Sequence, residues 1–108
     1  MEIIKIILGL ITAHVFGDYV FQSAYIAENK KRNVYHLLVH CWIYTACFWC
    51  ALYLLNRLNL WIVGFVFISH VILDYLKSRI EEKIGAKAYA IDQILHYVII
   101  SIVIFLVK

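Results

Sequence analysis

The sequence contains few charged residues and no proline. Aspartate, glutamate, lysine and arginine make up 16% of its 108 residues, against about 25% in typical soluble domains. A chain this short exposes a large share of its residues, and this one has too few polar side chains to cover that surface as a soluble monomer. Disorder is also excluded, because 65% of the residues are hydrophobic and disordered chains lack apolar mass.

Four long apolar stretches account for most of the chain. A helix needs about 20 such residues to cross a bilayer, and the stretches lack the alternation of polar and apolar residues that barrel strands show. The sequence therefore predicts an all-α, polytopic membrane protein, an antiparallel up-down bundle of four transmembrane helices. We expect one transmembrane domain over residues 1–108, with helices at about 2–22, 34–56, 59–84 and 87–107.

Lysine and arginine are distributed unequally among the connections. With four spans, both termini and the second connection share one side, which holds three basic residues, whereas the other side holds seven. Basic connections stay in the cytoplasm, so we expect both termini outside. The first segment lacks the basic n-region and the cleavage site of a signal peptide, and we expect it to remain. The net charge of +3 is explained by this topology, so it indicates no nucleic-acid partner.

Every histidine and every aspartate belongs to a pair spaced four residues apart, with one pair in each predicted helix. This spacing places both members on one helix face. The pairs are His14 and Asp18, His36 and His40, His70 and Asp74, and Asp92 and His96.

The depth of the pairs predicts a common site. Because successive helices alternate in direction, all four pairs fall at the same cytoplasmic level. The deeper layer would hold four histidines, and the other layer three aspartates and one histidine, about 6 Å apart along the axis. The deeper members are His14, His40, His70 and His96, and the shallower ones are Asp18, His36, Asp74 and Asp92.

Ionisable groups at this depth indicate a metal site. An aspartate at the centre of a span costs about 2.5–3.5 kcal/mol on insertion scales, and facing carboxylates repel one another. Divalent cations would offset both effects, and imidazole with carboxylate suits zinc, iron, manganese or nickel. We therefore predict that all eight residues are ligands of one or two divalent transition metals. Asp18, His36, Asp74 and Asp92 are also catalytic candidates, one of which would act as a general base.

Several alternatives remain open. The pairs could form interhelical hydrogen bonds, a proton or ion pathway, or axial ligands of a haem. Cys47 and Cys50 have a redox spacing, but an apolar span favours core filling. No His-Glu-x-x-His motif and no glycine-rich phosphate loop is present, so an intramembrane zinc protease and a P-loop protein are not indicated.

Several motifs resemble a family of small bacterial inner-membrane proteins of unknown function over nearly the whole chain. They are His14-Val-Phe-Gly-Asp18 with Gln22 and Ala27-Glu28-Asn29-Lys30, His36-Leu-Leu-Val-His40, Ser69-His70-Val-Ile-Leu-Asp74-Tyr75-Leu76-Lys77, and Asp92-Gln93-Ile-Leu-His96. This resemblance implies a multi-pass protein of the inner (cytoplasmic) membrane.

The pairs of the second and third predicted helices are more loosely similar to predicted membrane-bound metal-dependent hydrolases. That resemblance strengthens the metal prediction. We expect an enzyme that acts from the cytoplasmic leaflet on an amphiphilic substrate, a lipid or isoprenoid phosphoester, which Lys30, Lys31 and Arg32 could draw to the site. The expected partners are membrane lipids, this substrate and a second copy of the chain. The alternative is a non-enzymatic protein that handles a metal, haem or protons and other ions.

Overall fold

The computed structural model describes residues 2–108, and helices are the only regular secondary structure in that range. The chain has no proline, so no residue interrupts a helical hydrogen-bond ladder by lacking an N–H. The helices are α1 (Glu2–Val15), which continues as a π-helical segment (Phe16–Val20), α2 (Ala24–Asn29), α3 (Val34–Leu54), α4 (Leu60–Ile84) and α5 (Lys87–Val107).

Polar side chains mark the starts of three helices. Asn33 accepts a hydrogen bond from the backbone N–H of Tyr35 at 2.8 Å, and Asn59 accepts one from Trp61 at 2.9 Å. Such caps satisfy N–H groups that have no partner inside the helix. Ser23 caps α2 in the same way, so the connection after the first span forms a separate short helix instead of extending α1.

A glycine ends α4. Gly85 is the C-cap of this helix and has a φ of 62°, a conformation that glycine adopts without the steric cost of a Cβ. The connection to α5 is consequently short, because α5 begins at Lys87.

The four long helices enclose one apolar core. Both α1 and α4 pack against α3 and α5, and α2 packs on α3. In α1 and α4 the core residues precede the His/Asp pair along the chain, whereas in α3 and α5 they follow it. The apolar core and the polar cluster are therefore neighbours along the bundle. The buried core residues are Ile6, Leu10, Ala13, Tyr44, Phe48, Leu52, Val66, Ile100, Val103 and Val107.

Four helices are long and apolar enough to cross a membrane. The spans are Glu2–Val20, Val34–Leu54, Leu60–Ile84 and Lys87–Val107. Large apolar side chains cover the outside of the bundle, among them Trp61 with 89% of its surface exposed and Leu54 with 81%. The molecule is 42 Å long, which exceeds the hydrocarbon thickness of about 30 Å.

The three cysteines are free thiols. Cys47 packs against the apolar core, in keeping with a filling role. Cys50 is exposed, so the expectation that both members of the Cys-Phe-Trp-Cys motif fill the core is wrong for Cys50. Its side chain faces the outside because three residues rotate a helix by about 300° rather than a full turn.

Candidate metal centre

Seven of the eight predicted site residues lie buried together, and the eighth does not join them. Each of the seven exposes 8% or less of its surface. The buried residues are His14, Asp18, His40, His70, Asp74, Asp92 and His96, and the half-buried one is His36.

Two histidines and two aspartates form the central group: Asp18, His40, His70 and Asp74. Nε2 of His40 lies 3.3 Å from Oδ1 of Asp18 and 3.1 Å from Oδ2 of Asp74. Nε2 of His70 lies 3.6 Å from the same Asp18 oxygen and 3.7 Å from the same Asp74 oxygen. The two Nε2 atoms are 3.0 Å apart. One atom from each residue can therefore contact a single ion, since all four lie within 4.8 Å of one another.

A second group consists of Asp18, Asp92 and His96, whose ligand atoms also lie within 4.8 Å of one another. It shares Asp18 with the central group. Both groups mix imidazole with carboxylate, so the histidines and aspartates do not separate into the two expected layers. The reason is that the side chains are long enough to bridge one helical turn. Nε2 of His70 and Oδ2 of Asp74 are 3.7 Å apart, although the two residues are one turn apart along α4.

A chain of hydrogen bonds determines the tautomer of His70. A backbone carbonyl only accepts, so Nδ1–H of His96 donates to the carbonyl of Asp92 at 2.7 Å, which leaves Nε2 of His96 as an acceptor. Nδ1–H of His70 then donates to that Nε2 at 2.9 Å. As a result, Nε2 of a neutral His70 carries a lone pair directed at Asp18 and Asp74. Metal-bound histidines usually have such a partner on the other ring nitrogen.

His14, which the sequence analysis predicts to be a ligand, lies outside both groups. Its Nδ1 lies 2.8 Å from the hydroxyl of Tyr44, and its Nε2 lies 3.2 Å from Oε1 of Gln93. Because an amide oxygen only accepts, Nε2–H donates to Gln93 and Nδ1 accepts from Tyr44. Both ring nitrogens of His14 therefore already take part in hydrogen bonds.

Gln93 and Tyr44 are contacts that the spacing pattern did not identify. The Gln93 amide donates to Oδ2 of Asp18 at 3.4 Å and to Oδ2 of Asp92 at 3.1 Å, so it links both groups to His14. The Tyr44 ring stacks on His70 with 3.7 Å between ring centroids and 9° between planes. In the sequence, Gln93 appears only as a polar residue of the motif Asp92-Gln93-Ile-Leu-His96, and Tyr44 as one of many aromatic residues in the spans.

His36 is absent from both groups, so its predicted roles as a ligand and as a catalytic residue are not supported by the geometry. Its ring packs edge-on against Tyr25 and Tyr35, with centroids 5.1 and 5.8 Å away. The cause is α2, which packs on α3 and brings Tyr25 onto His36. Positions 36 and 40 also differ by about 40° around the helix, and only His40 is buried.

Two lysines lie close to the carboxylates, and the sequence did not predict either contact. Nζ of Lys30 lies 3.0 Å from Oδ2 of Asp74 and 3.5 Å from Nε2 of His40. Its side chain is only 10% exposed. Nζ of Lys77 lies 3.8 Å from Oδ2 of Asp92. The sequence indicates that the basic run containing Lys30 sets the topology and could draw a substrate to the site, but it does not predict the contact of Lys30 with Asp74.

A π-helical segment positions Asp18. Phe16–Val20 forms the wider π turn, a local deviation that is frequent at functional sites. Gly17 permits the segment to pack closely on α3, since a Cβ at this position would lie only 2.9 Å from the Cα of Tyr44. The close approach of the segment to α3 brings Asp18 to His40.

The sequence of residues 6–108 matches a family described as "Protein of unknown function (DUF3307)". No curated protein and no solved structure matches this chain. The match covers most of α1, all of α3, α4 and α5, and both groups of His/Asp residues. The chain therefore belongs to the DUF3307 family.

Proposed function

We propose that this protein binds one divalent transition metal through Asp18, His40, His70 and Asp74. The observation that carries the proposal is the spacing of their ligand atoms. Five of the six distances among these four atoms run from 3.0 to 3.7 Å. Tetrahedral zinc with bonds of 2.0–2.1 Å requires about 3.3–3.4 Å between ligand atoms.

The chemistry of the donor set supports the same conclusion. With the tautomer described above, His70 presents a lone pair, and the two carboxylates present only acceptors. At 3.0 Å, two neutral imidazole nitrogens can share at most one proton. A cation that accepts lone pairs from all four atoms satisfies them together, and imidazole with carboxylate suits zinc, iron or manganese.

The charges favour one ion over two. The three carboxylates (Asp18, Asp74 and Asp92) are accompanied by the ammonium groups of Lys30 and Lys77, which leaves one negative charge. One divalent cation would give a single positive charge, which a hydroxide or an anionic substrate can neutralise. A second ion would leave three positive charges in a buried site, and uncompensated buried charge is costly. His96, whose two nitrogens are already hydrogen-bonded, then orients His70.

The protein is proposed to lie in the bacterial inner membrane as one antiparallel transmembrane unit with both termini outside. The contacts between α1 and α3 support opposite directions, since Gly9 lies against Leu55 and Gly17 against Tyr44. The seven basic residues of the first and third connections support a cytoplasmic location for them. The metal centre would then lie toward the cytoplasmic leaflet. A reporter on the C-terminus that is active in the cytoplasm would contradict this orientation.

We further propose that the centre hydrolyses an amphiphilic phosphoester of a lipid or isoprenoid alcohol. A bound metal supplies an activated water and stabilises negative charge on phosphoryl oxygens. In the reaction, the water oxygen would add to phosphorus and the ester P–O bond would break, while the water proton would pass first to Asp92 and then to the oxygen of the departing alcohol. Asp92 is the proposed acceptor of that proton, because its Oδ1 is buried and accepts no hydrogen bond from residues 2–108. Asp18 and Asp74 act as ligands.

A proton-conducting role is the second candidate, and one observation favours it. Imidazole nitrogens of His40, His70 and His96 follow one another at 3.0 and 2.9 Å, which forms a continuous chain for proton transfer. Haem binding fits less well, since these rings contact one another directly and leave no gap for a porphyrin between them.

Elemental analysis of the detergent-purified protein distinguishes these functions. We expect about one equivalent of a transition metal in the wild type, its loss in His70→Ala/Asp74→Ala, and its retention in His36→Ala, the matched control. The wild type should also release alcohol and phosphate from a lipid phosphomonoester, and the double variant should not. A wild type that holds no metal after reloading would contradict the metal proposal and favour the proton chain.

A further inference from the structure

A cavity opens beside the metal centre, at the end of the bundle where α4 meets α5. Its volume is about 370 Å³, and its lining residues are Lys31, Lys77, Glu81, Gly85, Ala86 and Tyr89. A narrow pocket next to it shares three of these residues and extends to Lys30 and Asp74. The residues that line the two spaces extend from the outside of the bundle to a proposed metal ligand, and the pocket itself, at about 10 Å³, has room for about one water molecule.

The charges along this path depend on the metal. Without a metal, Lys30 pairs with Asp74 at 3.0 Å and Lys31 with Glu81 at 2.8 Å. Lys77 lies 3.8 Å from a carboxylate oxygen, beyond hydrogen-bond distance. A divalent cation would neutralise the two ligand carboxylates. The three lysines then outnumber the two remaining carboxylates, those of residues 81 and 92, and the path carries net positive charge.

The size and position of the cavity suit a small anionic group. Its volume lies within the range of about 300–1,000 Å³ that is usual for ligand sites. Lysine ammonium groups offer three donors each and commonly bind phosphate. Most of the lining residues lie between Lys77 and Tyr89, at the end of α4 and the start of α5, on the side of the headgroups in the proposed orientation.

We propose that this cavity binds the phosphate group of the substrate, with Lys31 and Lys77 as donors and the phosphorus directed along the pocket toward Asp74. The inference rests on the proposed function, because the metal provides the excess of positive charge. The phosphate could belong to a lipid headgroup or to a free anion. The exposed alkyl surface of the neighbouring spans favours the headgroup.

Calorimetric titration of the zinc-loaded protein in detergent tests this site. The probes are inorganic phosphate, dioctanoyl phosphatidic acid with a methylene group in place of the ester oxygen so that it is not hydrolysed, and dioctanoylglycerol, which lacks the phosphate. The variants are Lys31→Gln/Lys77→Gln and, as the matched control, Lys83→Gln. Lys83 is exposed on α4, the helix that also carries Lys77, and it lines neither the cavity nor the pocket. Zinc content is measured on every sample.

We expect both phosphate probes to bind and the neutral glyceride not to bind. The double variant should weaken phosphate binding by at least about tenfold, the equivalent of one lost charge-assisted hydrogen bond, and the control should not. Tighter binding of phosphatidic acid than of inorganic phosphate supports a lipid source, and equal binding supports a free anion.

Two results would overturn the proposal: failure of both phosphate probes to bind the zinc-loaded protein, or unchanged binding by the double variant. Either result in a sample with full zinc content contradicts the anion site alone. A protein that holds no zinc contradicts the metal proposal instead, and lysine-dependent phosphate binding in that sample would leave the anion site standing.

Discussion

Nδ1 of His70 lies 2.9 Å from Nε2 of His96, and this contact determines which nitrogen of His70 faces the aspartates. His96 is itself held by the backbone carbonyl of Asp92 at 2.7 Å. The two histidines therefore have different roles, although the sequence pattern made them equivalent. His70 presents the lone pair, and His96 maintains the tautomer that presents it.

Replacement of His96 by alanine should weaken metal binding by about 10–100-fold, the usual effect of removing a partner of a metal-bound histidine. Competition with a chromophoric chelator measures the affinity, and circular dichroism verifies the helical fold. His96→Gln, whose side-chain oxygen can still accept from His70, should restore part of the affinity. Equal affinity in the wild type and His96→Ala would show that His96 does not position His70.

Asp92→Asn separates metal binding from catalysis. Because Asp92 lies outside the four proposed ligands, this variant should retain one equivalent of metal. Its hydrolysis of a lipid phosphomonoester should fall by about 10²–10⁴-fold, the range for loss of a general base. Asp74→Asn should lose both metal and activity. Loss of metal from Asp92→Asn would instead assign Asp92 to the coordination shell.

Lys30→Met should increase metal affinity by at least about tenfold. The Lys30 ammonium stabilises the metal-free carboxylates and repels a bound cation, and both effects oppose binding, as expected for charges about 4 Å apart near a protein surface. Metal titration of the variant gives the affinity. The control is Lys31→Met, which removes a half-exposed ion pair with Glu81. This variant should change the metal affinity little. Weaker binding by Lys30→Met would indicate that the lysine supports the metal-bound state.

Gly17→Ala should lower the free energy of unfolding by about 1–3 kcal/mol, the usual cost of overpacking. A Cβ at this position would lie 2.9 Å from the Cα of Tyr44, a backbone atom that cannot move alone, whereas the Cβ of an alanine at Gly64 would meet nothing within 4 Å. Gly64→Ala is therefore the matched control, and it should be neutral or stabilising because alanine favours a helix interior. Thermal unfolding in detergent measures both. A Gly17→Ala protein as stable as the control would contradict the close packing of the π-helical segment on α3.

Local patterns in the sequence were sufficient for several features of the structure. Four apolar stretches of about 20 residues indicate four long helices, because each helix satisfies its own backbone hydrogen bonds. The spacing of His70 and Asp74 places both on one face of α4 from helix geometry alone. The common depth of the pairs is expected from their positions along helices that are predicted to reverse direction at each connection. These properties depend on neighbouring residues and on helical periodicity, both of which can be read directly from the chain.

Only the tertiary structure decided which of the eight residues can share an ion. The rotation of each helix about its axis, and the path of the connection before α3, depend on packing between segments distant in sequence. That packing places Tyr25 against His36 and brings Lys30 beside Asp74. It also directs both nitrogens of His14 to Tyr44 and Gln93. The sequence by itself determined the helices and the level of the polar cluster, because these arise from local periodicity. The division of that cluster into proposed ligands and supporting residues required the structure, since it depends on contacts between helices.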